Sequence, residues 1–211
     1  GRPGAAQPAG LEREIMAGLK QNLHEISQHG QRASAIIADM LAHARSGTSQ
    51  REPTDLNQLV SENLGLAVQQ PANGKSLPFI DLQTSFAPNL GLVSTAPQEL
   101  GRALLNLFTN AFYAVRHRAR AGEPGYQPQV SVCTRRVNEA IEIQVRDNGV
   151  GMSAAVAGQV FQPFFTTKPL GEGTGLGLSL SHDIITKGHL GTLTVETREG
   201  EFTAFTVRLP A

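Results

Sequence analysis

From Leu11 to about Ser46 the chain has no proline, and apolar or small residues recur at Leu19, Leu23, Ile26, Gly30, Ala33, Ile37, Met40 and Ala44, in alternating steps of four and three. That spacing keeps one stripe on one side of an α-helix and predicts a long helix over residues 11–46 with a heptad seam. At 1.5 Å per residue the helix would run roughly 50 Å, more than one compact core covers, so its seam is expected to pack against other helices. The stretch SGTSQREPTD then gathers small, charged and proline residues, which ends the helix and predicts a linker over residues 47–55.

A second unit is expected over residues 56–211. Thr54 or Asp55 can cap a helix carrying Leu56, Leu59, Val60 and Leu64, and another amphipathic helix is predicted from Pro97 to Ala121. Between them the pattern has no clear period. Val130 and Val132, then Ile141, Ile143 and Val145, alternate with polar residues and predict a hairpin turning near Asn138. Leu193 and Val195, then Phe205, Val207 and Leu209, repeat the alternation after a glycine-rich stretch and a short helix around Ser179 to Lys187. This order predicts an α+β domain with helices on one side of a sheet. Residues 1–10, GRPGAAQPAG, lack the basic start and apolar centre of a signal peptide and read as a tail or cloning remnant.

Composition narrows the partners. Over 211 residues, 18 basic side chains balance 18 acidic ones, so no long-range field gathers phosphate backbones or anionic lipid. Neither nucleic acid nor membrane contact is expected of this piece, and binding must come from a local site. The single cysteine, Cys133, cannot form an internal disulfide, and no run approaches the roughly 18 apolar residues of a membrane span. A reduced, cytoplasmic setting is expected, whether or not the complete protein carries a membrane anchor.

Three places carry candidate chemistry. On the Pro97–Ala121 helix, Leu100, Leu104, Leu107, Ala111 and Val115 form an apolar stripe, while Glu99, Arg102, Asn106, Asn110 and Tyr113 lie along another. Asparagine gains nothing in a helix interior, so two carboxamides one turn apart ask for a reason: oxygen ligation of a hard cation, or, less specifically, a solvated pair. On the strand IEIQVRD, Asp147 shares its side with Ile141, Ile143 and Val145, which turns a carboxylate inward at the end of an apolar row. Burying it is costly without a donor, and an exocyclic amine of adenine would suit; capping of the backbone amides of the DNG turn is the plainer alternative. Finally, GEGTGLGLSLSHD places glycines at 171, 173, 175 and 177 just before a helix, a geometry that offers amides to phosphate oxygens. It matches neither a P-loop nor GxGxxG.

Together these segments resemble the catalytic domain of two-component sensor histidine kinases, within the GHKL superfamily that also contains gyrase-type topoisomerases and certain chaperones. The N box is similar to ELGRALLNLFTNA (Glu99 to Ala111), the G1 box to DNGVGM (Asp147 to Met152), the F box to FQPFFTTK (Phe161 to Lys168), and the G2 box to GEGTGLGLSL (Gly171 to Leu180). The resemblance covers roughly Leu11 to Pro210 and implies a two-layer ATP-binding sandwich. It further implies that Asn110 binds a magnesium ion bridging the ATP phosphates, with Asn106 beside it, and that Asp147 accepts from the adenine amino group, with Thr203 near the base. Gly149 and Gly151 would let the base approach. Gly173, Thr174, Gly175, Leu176 and Gly177 would present amides to the phosphates, and Lys168 would reach the terminal phosphate from a lid between G1 and G2. The gyrase-like relatives carry a glutamate where Asn106 stands, as the base for water. An amide cannot take that proton, so phosphoryl transfer to an imidazole is preferred over hydrolysis. An ATP-binding regulatory module without kinase activity and a GHKL ATPase are the alternatives.

The pair His24 and Glu25 is similar to the start of the family's H box, yet position 29 is histidine where a proline belongs. The run from about Leu19 to Arg45 resembles instead the second helix of the dimerisation and phosphotransfer hairpin. The acceptor histidine is therefore expected upstream of residue 1, not at His24, His29 or His43, and the isolated chain is not expected to phosphorylate itself. The resemblance implies a homodimer in the full-length protein and a response regulator receiver domain as partner.

Overall fold

The computed structural model describes residues 14–23, 25–27, 29–30, 33, 50–69, 79–169 and 172–210. In chain order these contain helix α1 (the described residues of 14–33), β1 (Glu52–Asp55), α2 (Leu56–Gln69), β2 (Asp81–Phe86), β3 (Leu92–Thr95), α3 (Pro97–Arg120), β4 (Gln129–Val137) and β5 (Ala140–Asp147). There follow α4 (Ala154–Ala157), α5 (Gly177–Asp183), β6 (Thr192–Arg198) and β7 (Phe202–Pro210).

The predicted hairpin is present: β4 and β5 pair antiparallel from Val130–Asp147 to Val137–Ala140, and Asn138 turns the chain with φ 56°, a conformation asparagine tolerates. β7 adds antiparallel to β5, and β6 to β7. Residues that alternate inward along these strands, among them Val130, Val132, Ile141, Ile143, Val145, Val207 and Leu209, are buried. The apolar stripe of α3 covers that face, with Leu100, Leu104, Leu107, Phe108 and Val115 fully inaccessible, and α2 adds Leu56, Leu59, Val60 and Leu64. The result is the expected α+β sandwich of helices on one sheet.

The segment without a clear period supplies the fifth strand. β2 pairs parallel to β4 at the sheet edge, giving the order β2-β4-β5-β7-β6. Its residues are partly or fully exposed, so no alternation marked it. Half of the predicted linker also differs: Glu52–Asp55 is a strand, paired antiparallel with β3, where Pro53 is tolerated because the two-stranded sheet has no further neighbour to receive its missing N–H. The short helix after the glycines starts two residues earlier than predicted and widens into a π-helical turn over Ile184–Gly188, which buries Ile184 and Ile185. Just beyond it, His189 is buried. Its Nε2 accepts from the Ala96 amide at 3.0 Å and its Nδ1 donates to the Ile184 carbonyl at 2.9 Å, which gives α3 a start that Ala96 itself cannot cap.

On α1 the described seam residues Leu19, Leu23 and Ile26 are 51%, 64% and 67% exposed, so this part of the seam does not pack on the catalytic unit. Ile37, Met40 and Ala44, like His24 and His43, lie outside the described residues; His29 is helical and exposed.

Of the two candidate caps for α2, Asp55 is the one used. Its Oδ1 accepts from the amides of Asn57 (2.9 Å) and Gln58 (3.1 Å). Asp55→Ala is expected to destabilise the domain by about 1 kcal/mol, lowering Tm by about 2–4 °C, while Asp55→Asn keeps most of the stability; thermal unfolding followed by circular dichroism checks both.

Candidate active site

A cavity of about 550 Å³ opens between α3, the end of β5 and the segment that runs from Val150 to Leu178. Of the residues singled out in the sequence, Asn106, Asn110, Asp147, Gly151, Lys168, Gly173, Thr174, Gly175, Gly177 and Thr203 line it; Gly149 and Leu176 do not.

Asp147 stands at the inner end of β5 and is only 3% exposed. In the sheet register it is opposite Thr203 of β7, also buried, so carboxylate and hydroxyl sit side by side on the floor. The Gly149 amide donates to Asp147 Oδ1 at 2.8 Å. Burial pushes the carboxyl pKa up from its ordinary 3.8 to about 7, opposed by that amide and by the charge of Arg146. Thr203 Oγ1 lies 3.2 Å from Thr197 Oγ1, which in turn accepts from the Met152 amide at 2.9 Å and thereby ties the G1 turn to β6.

The two glycines of that turn make room for protein. A Cβ at Gly149 would lie 2.6 Å from Ala114 of α3 and 2.7 Å from Asp147 Oδ1; at Gly151, where φ is 62°, it would lie 2.0 Å from the Arg198 carbonyl oxygen. The resemblance ties these glycines to the approach of a base, whereas the space they free is filled by α3 and by the β6–β7 turn.

The opposite wall is built on α3. Asn106 Nδ2 donates to the Gly177 carbonyl (3.2 Å) and to Ser181 Oγ (3.4 Å), fastening α5 to α3. Asn110 Oδ1 accepts from Lys168 Nζ at 2.7 Å, and the same ammonium lies 4.3 Å from the centre of the Tyr113 ring. The Tyr113 hydroxyl donates to Glu172 Oε2 at 3.0 Å. Burial lowers the Lys168 pKa, with Glu172 acting against it, and burial together with the Glu172 bond raises that of Tyr113. Tyr113 and Glu172 were not among the predicted site residues. Tyr113 could have been found, since it lies on the same helical stripe as Asn106 and Asn110. Glu172 could not, because only the fold brings it across to α3.

The donor set suits a cation that arrives with its own ligands. Among the described residues no group of three His, Cys, Asp or Glu could hold a metal. Asn110 Oδ1 is a single neutral oxygen that already faces a positive charge. That fits an ion such as magnesium, coordinated mainly by substrate phosphates and water.

A buried acid on the floor, a carboxamide oxygen on the wall and a glycine-rich entry to a helix thus line one cavity. Over residues 95–211 the sequence matches the family described as histidine kinase-, DNA gyrase B- and HSP90-like ATPases, and the chain belongs to it. Within that family its relatives are sensor histidine kinases. The chain is 31% identical to the sensor histidine kinase ZraS of Escherichia coli K12 over 205 residues, 96% of this chain and 39% of that protein. To sporulation kinase B of Bacillus subtilis 168 it is 31% identical over 180 residues, 85% of this chain and 38% of the other. The chain thus spans about two-fifths of the length of these relatives. The solved catalytic domain of histidine kinase ThkA superposes with a TM-score of 0.61 at 25% identity, covering 76% of this chain and 95% of that one. Full-length ShkA in complex with AMPPNP shares the fold, with a TM-score of 0.66 at 19% identity over 90% of this chain and 38% of that one. The chain carries the ATP-binding catalytic domain of a sensor histidine kinase. Among the described residues no helix is long and apolar enough to cross a membrane.

Because the Asp147 carboxyl binds its proton more tightly in the folded chain than in the unfolded one, the stabilisation that this gives is complete below about pH 4 and is lost as pH rises through about 7. In nucleotide-free protein, Asp147→Asn is therefore expected to gain Tm over the wild type between about pH 5 and pH 8, by at least about 3 °C. Differential scanning calorimetry at the two pH values reads it; a constant gap would refute the assignment of a strained, buried acid.

Proposed function

We propose that this domain binds ATP with its adenine amino group on Asp147 and its phosphates between Asn110, Lys168 and the Gly173–Gly177 turn, and that it transfers the terminal phosphoryl group to a histidine for relay to an aspartate of a response regulator receiver domain. The observation that carries this reading is the buried Asp147 beside Thr203, across one cavity from the Asn110–Lys168 pair.

Ionised Asp147 accepts from the amine, an interaction whose strength comes from the low-dielectric floor. Thr203, on the paired strand, supplies a hydroxyl to the same edge of the base. Asn110 Oδ1 would hold a magnesium ion, whose chemistry is to neutralise charge on the phosphate oxygens. Lys168 then leaves that oxygen for the terminal phosphate, carrying its segment as a lid. Gly173, Thr174, Gly175, Leu176 and Gly177 turn the chain into α5 with backbone amides toward the phosphates. Asn106 Nδ2 donates to the Gly177 carbonyl and Ser181, and its amide oxygen, unlike a carboxylate, is not basic enough to take a proton from water. An imidazole nucleophile needs no such base, since positioning and charge neutralisation carry phosphoryl transfer. That favours a kinase over an ATPase.

The acceptor imidazole is supplied by the phosphotransfer hairpin of the complete protein, and the exposed seam of α1 fits the second helix of that hairpin in a homodimer. Labelled ATP supplied together with an added acceptor-helix domain is expected to label that domain; release of free phosphate instead would establish an ATPase, and tight binding with neither a regulatory module. In titration calorimetry, Asp147→Asn is expected to weaken ATP by about 10- to 100-fold, the loss of one charge-assisted hydrogen bond in a buried site. Asn110→Ala is expected to leave metal-free ADP binding within about threefold while it removes most of the magnesium dependence.

A further inference from the structure

Behind the G1 turn, on the side away from the cavity, Arg118 does something that the nucleotide site does not account for. It lies one helical turn beyond Ala114, the α3 residue on which Gly149 packs. Its Nη1 donates to the carbonyl oxygens of Asn148 (3.1 Å) and Gly149 (3.3 Å). Its Nε and Nη2 hold Glu123 in a two-pronged pair at 2.8 and 3.1 Å, and the guanidinium lies 4.6 Å from the centre of the Tyr126 ring. Tyr126 in turn donates its hydroxyl to Asn148 Oδ1 at 3.0 Å.

The Asn148 carbonyl and the Gly149 amide belong to one peptide bond. That bond is trans, so its oxygen and its hydrogen point in opposite directions and cannot be oriented separately. Arg118 holds the oxygen end of this plane, and Asp147 Oδ1 receives the hydrogen end. We propose that Arg118 is a positioning residue for base recognition: by fixing the Asn148–Gly149 peptide it aims the amide that holds the Asp147 carboxylate in its adenine-accepting orientation. A cationic donor on the carbonyl also polarises the peptide, which strengthens its N–H as a donor to the carboxylate. The purely structural alternative is that Arg118 serves only the end of α3, by pairing with Glu123 and opposing the helix dipole.

The inference rests on Asp147 as the acceptor for the adenine amine, and the test separates the two. Titration calorimetry compares ATP with inosine triphosphate, which carries an oxo group in place of the amine, on wild type, Arg118→Met and Glu123→Ala. Wild type is expected to prefer ATP by about tenfold or more at pH 8. Arg118→Met, which keeps an aliphatic stem over Tyr126, is expected to cut that preference by at least about threefold with inosine triphosphate affinity within about twofold, and to move the midpoint of the pH profile for ATP binding upward. Glu123→Ala, which breaks the pair but leaves the guanidinium on the turn, is expected to keep the preference. If Arg118→Met retains the full preference and midpoint, or if Glu123→Ala loses them equally, the positioning role is overturned. If wild type itself shows no preference, the Asp147 reading falls and this inference with it. Should Arg118→Met fail to fold, Arg118→Gln makes the same comparison, since its amide ends where the arginine Nε stands and falls two bonds short of the Asn148 carbonyl.

Discussion

A carboxylate buried at the end of an apolar strand is the constraint around which this domain is arranged. Asp147 follows Ile141, Ile143 and Val145 onto the inner face of the sheet, and its ordinary preference for water is opposed by everything that packs there. Inside the domain it receives one backbone amide, from Gly149. A carboxylate so placed costs stability, which is the balance a binding site makes and a purely structural position does not need. The turn after it, with glycines that let α3 and the β6–β7 turn come close, exists in this form because the acid must be held from behind while its cavity side stays available.

Helix α3 unites the structural and chemical demands. One stripe, through Leu100, Leu104, Leu107 and Val115, is the principal cover of the sheet. Along its other side Asn106 fastens α5, Asn110 and Tyr113 meet Lys168, Ala114 receives Gly149, and Arg118 reaches round to the carbonyls of the G1 turn. Since Asp147 stands on β5 and Asn110 on α3, the distance between floor and wall is set by the packing of that helix on the sheet. A change in the core under α3 would be felt on both sides of the cavity.

Lys168 ties its end of the segment that follows G1 to α3. Its ammonium donates to the Asn110 oxygen and lies over the Tyr113 face, and Glu172 accepts from the Tyr113 hydroxyl. Phe164 and Gly175, both in the left-handed region and in backbone contact, mark where this segment bends.

Residue order alone determined a good deal: the hairpin around Asn138, the extent of α3, the inward turn of Asp147 and the chemistry-bearing asparagines all follow from period and residue type, which are local properties. Strand β2 was hidden because an edge strand with little buried surface needs no alternation, and the last residues of the linker became β1 only because β3 lay beside them. The glycines at 149 and 151 were legible as a turn, but what fills the space they leave was not, since Ala114 and Arg198 are distant in sequence. The same holds for Glu172 on Tyr113, Lys168 on Asn110 and Arg118 on the G1 turn. Each is a contact between segments whose approach is decided by packing of the whole core, and no local pattern records a partner that arrives from elsewhere in the chain.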